Sequence, residues 1–202
     1  MNRWLFRCML VCFTLQAIDL FAEHERHITV VSLSYNNKEW YRRNIDSVLH
    51  QNYSNYHVLY IDDMSIDGTP DYVDEYLKLH DKDHRYTLIR NTKKTYATGN
   101  HWKAVHMCDD DDIVVVLDAD DWFAHRDVLK RVNEEYAKDV WMTWGQFKAY
   151  PRGQMGYCRE IPNYILEKND IRNYDWVTSH LRTYYAWLFK QIRLKDLMYH
   201  GQ

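Results

Sequence analysis

The sequence predicts an α/β fold, a doubly wound and mostly parallel sheet with helices on both faces, from three observations. Short apolar runs alternate with segments of helical periodicity from Ile28 onward, the runs are rich in Val and Ile, and turn chemistry separates them. At 202 residues, the chain has the length of one such domain.

Ile28 to Leu33 reads as a buried strand, and Glu39 to His50 carries apolar positions at helical spacing. Val58 to Ile61 is the second strand. Asp62 to Pro70 is a turn, with Gly68 suited to a positive φ and Pro70 to the first turn of a helix running to about Leu79. A third strand is expected near Tyr86 to Ile89, then a helix from Ala97 to Met107. The most apolar strand, Ile113 to Leu117, ends directly on Asp118. A helix from Arg126 to Ala137, a strand from Val140 to Thr143 and a helix from Thr178 to Ile192 complete the expected order.

Before this domain, residues 1 to 22 carry Arg3 and Arg7, an apolar run from Cys8 to Ile18, then Asp19 and Ala22. The run is shorter than the ~20 residues that span a bilayer. It reads either as a secretory signal or as an amphipathic helix on a membrane surface, with a plain structural helix as the alternative. The corresponding locations are export, or membrane association with the domain that follows in the cytoplasm.

The net charge of -3, with both signs interspersed, excludes the basic field that nucleic acid binding uses. The four cysteines form no C-x-x-C pattern, and a Cys108 to Cys158 disulfide is neither required nor excluded. Of the aromatic residues, including 17 Tyr and 8 Trp, most are expected in the core or hydrogen-bonded at the surface, although such rings also stack on sugars.

In parallel sheets ligands sit beyond the carboxyl ends of the strands. Asp62 and Asp63, and the run Asp118 to Asp121, follow strands and share that edge; Asp109 to Asp112 precede one and read as a solvated loop. No glycine-rich phosphate loop is present, so another group must neutralise a phosphate ligand. Crowded carboxylates at Asp118, Asp120 and Asp121 repel one another and invite a hard divalent cation, Mn2+ or Mg2+. If the backbone there is extended, Asp118 and Asp120 point the same way. An acidic cap before a helix near His125 is the structural alternative.

Taken together, Val30 to Asn36, Ser47 to Gln51, Ile61 to Thr69 and Leu117 to Trp122 resemble, in order and spacing, the family 2 glycosyltransferases of GT-A fold. The resemblance spans about residues 28 to 136, which would be the nucleotide-sugar half of a domain covering 23 to 202, with a partial acceptor half from about 137. It implies a metal-dependent, inverting transfer from a nucleotide-sugar donor, most commonly a uridine diphosphate sugar, to a glycan, lipid or protein acceptor. By the same resemblance Tyr35 stacks on the donor base and Asp63 bonds a ring nitrogen of it, with Ser34 also among the donor-binding residues and Asp62 and Ser65 supporting that loop. Asp118 would meet the ribose, with Asp120 or Asp121 on the metal. The stretch Asn91 to Asn100, with Lys93 and Lys94, would close over the nucleotide, Gly99 and Asn100 being the contacts.

The family's general base, a carboxylate well past the acidic motif, would fall beyond Gln202. Asp175, Glu160 and Asp196 are the substitutes available, Asp175 first, and His180 or Arg182 is placed to face the diphosphate or acceptor. A chain lacking such a base, worth about 10²–10⁴-fold, would bind donor and transfer poorly. Two other readings follow: a donor-binding remnant without transfer, and a haloacid-dehalogenase-type phosphatase with Asp118 as nucleophile. Trp122 stands where the latter expects Thr or Val.

Overall fold

The computed structural model describes residues 25 to 197, so the apolar segment 1 to 22 lies outside the described residues. Its centre is a six-stranded sheet of order β3-β2-β1-β4-β8-β5. β1 (Ile28–Ser34), β2 (Tyr56–Asp62), β3 (Tyr86–Arg90) and β4 (Ile113–Val116) are parallel. β5 (Met142–Trp144) and β8 (Arg182–Tyr185) are antiparallel to each other, and β8 runs antiparallel to β4. β6 (Lys148–Ala149) and β7 (Gln154–Met155) form a separate hairpin.

Both sheet faces are covered, which is why the central strands read as largely apolar runs, with Thr29 and Ser32 as buried exceptions in β1. Alternate residues serve opposite layers. Val30, Val58, Ile113 and Val115 pack with Val48 of α1 (Tyr41–Leu49) and with Leu129, Val132 and Tyr136 of α4 (Val128–Tyr136). Val31, Leu59, Val114 and Val116 pack on the other face with Ala104 and Val105 of α3 (Tyr96–Val105) and Ala186 of α6 (Ala186–Lys190). Tyr60, Ile45 and Val73 join α1 to α2 (Thr69–His80). The turn before α2 is as expected: Gly68 takes φ 84° and Pro70 sits in the first turn. The remaining helices, α5 (Asn163–Glu167) and α7 (Leu194–Leu197), are short. No described helix is long and apolar enough to cross a membrane, and Cys108 and Cys158 are both free thiols.

Two expectations fail here. The span Thr178 to Ile192 is not one helix: Arg182–Tyr185 is a strand, and only Ala186–Lys190 is helical. Its β-branched and aromatic run satisfies the open edge of β4, and that pairing outweighs a weak helical periodicity.

The second concerns Asp109 to Asp112, which is not uniformly solvated. Asp112 is buried, accepting from Thr29 Oγ1 at 3.0 Å and Asp109 N at 3.1 Å and pairing with His27 Nδ1 at 2.6 Å. It ties the start of β1 to the start of β4. Asp112→Ala leaves these donors without their acceptor and is expected to cost about 3 kcal/mol, whereas the exposed Asp111→Ala stays within about 0.5 kcal/mol. Urea denaturation midpoints check this, and equal midpoints for the two variants would contradict it.

Candidate active site

The parallel order places the ends of β1, β2 and β4 side by side, with β1 at the point where the winding direction reverses. The chain stays in register beyond the strands: Asp63 N donates to Ser34 O, Asn91 N to Asp62 O, and Ala119 N to Leu33 O. Tyr35, Asp62, Asp63 and Asp118 therefore share one edge.

Asp62 is buried and accepts from Ser65 N at 3.0 Å and Ser65 Oγ at 2.5 Å. Ser65 Oγ in turn accepts from Asn36 N, so the tails of β1 and β2 are stitched together. Ser34 is also buried, its hydroxyl accepting from Tyr60 OH at 3.1 Å. Its side chain is thus part of the frame behind the edge.

Asp63 anchors the segment that follows β3. It accepts from Asn91 Nδ2, Thr95 N and Tyr96 N at 2.8 to 2.9 Å, and Lys94 Nζ lies 3.4 Å from its carboxylate. Burial pushes the Asp63 carboxyl up, but the bonds from Asn91, Thr95, Asn100 and Tyr96 outweigh that and hold it at about 2. Asn100, also buried, accepts from Asn91 Nδ2 at 2.6 Å. A Cβ on Gly99 would come within 2.7 Å of Thr95 Cγ2, so the segment fits closely against the start of α3. Lys94 Nζ sits 2.9 Å over the centre of the Tyr35 ring, which is otherwise half exposed.

The acidic motif is a turn, not an extended segment. Asp121 N donates to Asp118 O at 2.9 Å, which closes the turn and brings residues three apart together. Carboxylate oxygens of Asp118 and Asp121 and a ring nitrogen of His180 lie within 4.8 Å of one another, while Asp120 is exposed beside them. The alternation that would pair Asp118 with Asp120 is thus replaced by a pairing with Asp121. Burial, followed by the charges of Asp120 and Asp118, raises the Asp121 carboxyl against a lowering influence from His180. His180 Nε2 is 3.6 Å from Asp121 Oδ2. His180 arrives because β8 is antiparallel: Arg182 pairs with Val116, so the residues just before it meet the edge where β4 ends.

Helix α1 holds the turn, a role absent from the sequence reading. Asn44, fully buried, donates from Nδ2 to Asp118 O at 3.1 Å and Asp121 O at 2.9 Å. Ser47 Oγ accepts from Phe123 N, and Gln51 Nε2 donates to His125 O. With its amide oriented to satisfy both groups, Asn37 donates to Tyr35 O and accepts from Asp120 N. The signal was present as polar residues at i, i+3 and i+7 on the buried face of an amphipathic helix.

Arg182 lies on the same strand face as Tyr184, and its buried Nε has no hydrogen-bond partner among the described residues. It also helps burial to depress the neighbouring His101 imidazole to about 4, burial being the larger cause. The substitute bases are elsewhere: Asp175 pairs with Arg159 at 2.8 Å, Asp196 pairs with Arg193, and Glu160 is exposed. None of the three lines the cavity that opens beside the acidic turn: Glu160 and Asp175 lie in the span between β7 and β8, and Asp196 sits on α7.

This sheet order, with acidic groups gathered at the carboxyl edge, defines a GT-A-type α/β domain. The sequence model of Glycosyl transferase family 2 matches residues 29 to 196, and the chain belongs to that family. It is 24% identical over 191 residues to "Glycosyltransferase GlyA" of Streptococcus pneumoniae, covering 82% of this chain and 25% of that protein. Among solved structures it is similar to the mannosyltransferase PcManGT of Pyrobaculum calidifontis in complex with GDP-Man and Mn2+. The TM-score is 0.55 at 25% identity, over 62% of this chain and 36% of that one. S. aureus TarS in complex with UDP-GlcNAc matches in fold, with TM-score 0.62 at 16% identity over 82% of this chain and 47% of that one. The chain thus spans a quarter to about half the length of these relatives. Membership leaves the dehalogenase-type reading of Asp118 without support.

Proposed function

We propose that this chain transfers a sugar from a nucleoside diphosphate donor to an acceptor hydroxyl, using a divalent cation at the acidic turn. The observation that carries the reading is the convergence of Asp118, Asp121 and His180 at the same edge as Tyr35 and Asp63. Two carboxylates and an imidazole form a donor set suited to Mn2+, and Mg2+ fits it less well because it favours oxygen ligands. When bound, the cation would neutralise charge on the departing diphosphate. The mannosyltransferase solved with GDP-Man and Mn2+ supports both the donor class and the metal.

The protein's own groups divide the remaining work. Tyr35 offers a ring face to the base, and the Asp63 anchor fixes the segment bearing Lys94, Gly99 and Asn100 beside it. Lys94 must leave the face of Tyr35 for a base to stack there. Arg182, with an unpartnered Nε, is suited to the diphosphate. In the transfer, the acceptor oxygen bonds the anomeric carbon, the bond from that carbon to the diphosphate breaks with its electron pair on the diphosphate, and the hydroxyl proton passes to a carboxylate or to water.

One observation favours a second reading, donor binding with slow transfer. The acidic side chains lining the adjacent cavity are Asp120, Asp121 and Glu135; two belong to the acidic turn, and Glu135 is held by Arg131 and Lys138. Calorimetric titration of UDP into the full chain, with and without manganese, tests the proposal. Manganese-dependent binding is expected, and no binding of any nucleoside diphosphate under either condition would end it. Donor consumption in the presence of acceptor then separates transfer from hydrolysis alone.

A further inference from the structure

A cavity of about 1190 Å3 opens beside the acidic turn. It is lined by Asp120, Asp121 and His180 but not by Tyr35, Asp62 or Asp63, so it meets the donor site only at the turn. Its size is somewhat above that of ordinary ligand pockets, which hold roughly 300–1,000 Å3.

Two aromatic walls line it. In one, Trp122 stacks with Trp40 at 6.0 Å and meets Tyr150 edge-on at 5.2 Å, with the Arg43 guanidinium 4.6 Å over the Tyr150 ring. In the other, Phe147 meets Tyr157 edge-on at 5.5 Å and His180 at 5.9 Å. The hairpin β6–β7 carries Tyr150 in its turn. Both tyrosines remain about half exposed, 55% for Tyr150 and 51% for Tyr157, so each keeps ring surface available to an occupant. This second wall runs directly to His180, one of the three groups at the candidate metal site.

We infer that this cavity receives a neutral carbohydrate as acceptor, held between the two aromatic walls with one hydroxyl at the Asp121 and His180 end; this rests on the transferase reading above. A sugar ring has flat C–H faces that lie on aromatic rings and a rim of hydroxyls that need hydrogen-bonding partners. The cavity supplies both: Gln146, Thr143 and His125 in its lining are already bonded within the chain, and each keeps a further donor or acceptor for an occupant. A polyanionic acceptor would require surplus cations. The basic residues of the lining are Arg131 and Lys148, besides the histidines, and Arg131 is already paired with Glu134 and Glu135. An alkyl chain would find aliphatic lining at Leu117, Val128, Val132 and Leu181 but would leave Thr143, Gln146 and His125 facing it without a polar partner. A folded protein surface would need a flatter face.

Saturation-transfer NMR on the full chain tests this, with neutral gluco-, galacto- and manno-configured trisaccharides and their N-acetylated forms as probes. Dodecyl phosphate and a serine-rich peptide serve as the competing classes. At least one neutral trisaccharide is expected to bind, and Tyr150→Ala and Tyr157→Ala are each expected to weaken it roughly three- to tenfold. Both positions are exposed enough that folding should survive, which thermal midpoints would verify. If UDP binds with manganese but no neutral saccharide does, or only the phosphate or peptide probe binds, the carbohydrate inference falls while the donor reading stands. Saccharide binding unaffected by either variant places the sugar elsewhere and also overturns it. Saccharide binding that depends on both tyrosines in a chain that binds no nucleotide would support the site and overturn the donor reading.

Discussion

Asp121→Ala is expected to abolish manganese-dependent UDP binding and to reduce any sugar transfer by about 10²–10³-fold, the loss typical of removing a group that stabilises developing charge. Asp118→Ala should do the same, because its oxygen belongs to the same cluster with Asp121 and His180. The informative comparison is with Asp120→Ala. An extended reading of the motif makes Asp120 the partner of Asp118, whereas the turn closed by Asp121 N and Asp118 O gives that place to Asp121. UDP calorimetry with and without manganese on the three variants separates these. Full binding in Asp121→Ala together with loss in Asp120→Ala would refute the assignment drawn from the turn. Asp111→Ala, exposed and at the opposite end of β4, controls for net charge.

The second large effect belongs to Asp63. Asp63→Ala is expected to destabilise the chain by about 3 kcal/mol, because the Thr95 and Tyr96 N–H groups and the Asn91 amide lose their acceptor together. UDP affinity should fall with it, since the segment carrying Lys94 and Asn100 loses its anchor. Asp63→Asn is expected to cost less than Asp63→Ala: its amide oxygen can still accept from Asn91 and Thr95, while its NH2 faces the Tyr96 N–H as donor against donor. The pH dependence has a definite sign. The Asp63 carboxyl is held at about 2 in the fold against an ordinary value of 3.8, so its contribution is present above about pH 3.8 and is lost as pH falls through about 2. The difference corresponds to about 2 kcal/mol. Urea denaturation from pH 5 to pH 2 should show a shallower acid loss in Asp63→Ala than in the parent chain. Parallel curves would mean that the carboxylate does not hold the segment.

The legible part of this protein was the part that local chemistry controls. A strand buried on both faces is largely apolar, so Ile28 to Leu33, Val58 to Ile61 and Ile113 to Leu117 stood out, and Gly68 with Pro70 marked the entry to α2. Parallel winding then placed Asp62, Asp63 and Asp118 on one edge without reference to coordinates, because every parallel strand ends on the same side. The polar residues Asn44 and Ser47 of α1, and Gln51 just beyond it, were equally visible, the last two within the motif Ser47 to Gln51, but carried no assigned role. Their meaning depends on which residues they face, and those lie more than 70 positions away.

What only the tertiary structure decided was the pairing of distant segments. Arg182–Tyr185 becomes a strand because the edge of β4 is open to it, a condition that no local window contains. From that single antiparallel pairing follow the arrival of His180 at the acidic turn and the position of Arg182 beside His101. The burial of Asp112 is of the same kind: three donors from other positions turned one member of an acidic run into a structural bond while Asp111 stayed in water. Hydrophobic pattern and turn residues act over a few positions and determined the elements and their shared edge. Long-range hydrogen bonds and charge pairs form only once that edge exists, and they decided which carboxylates and which histidine meet there.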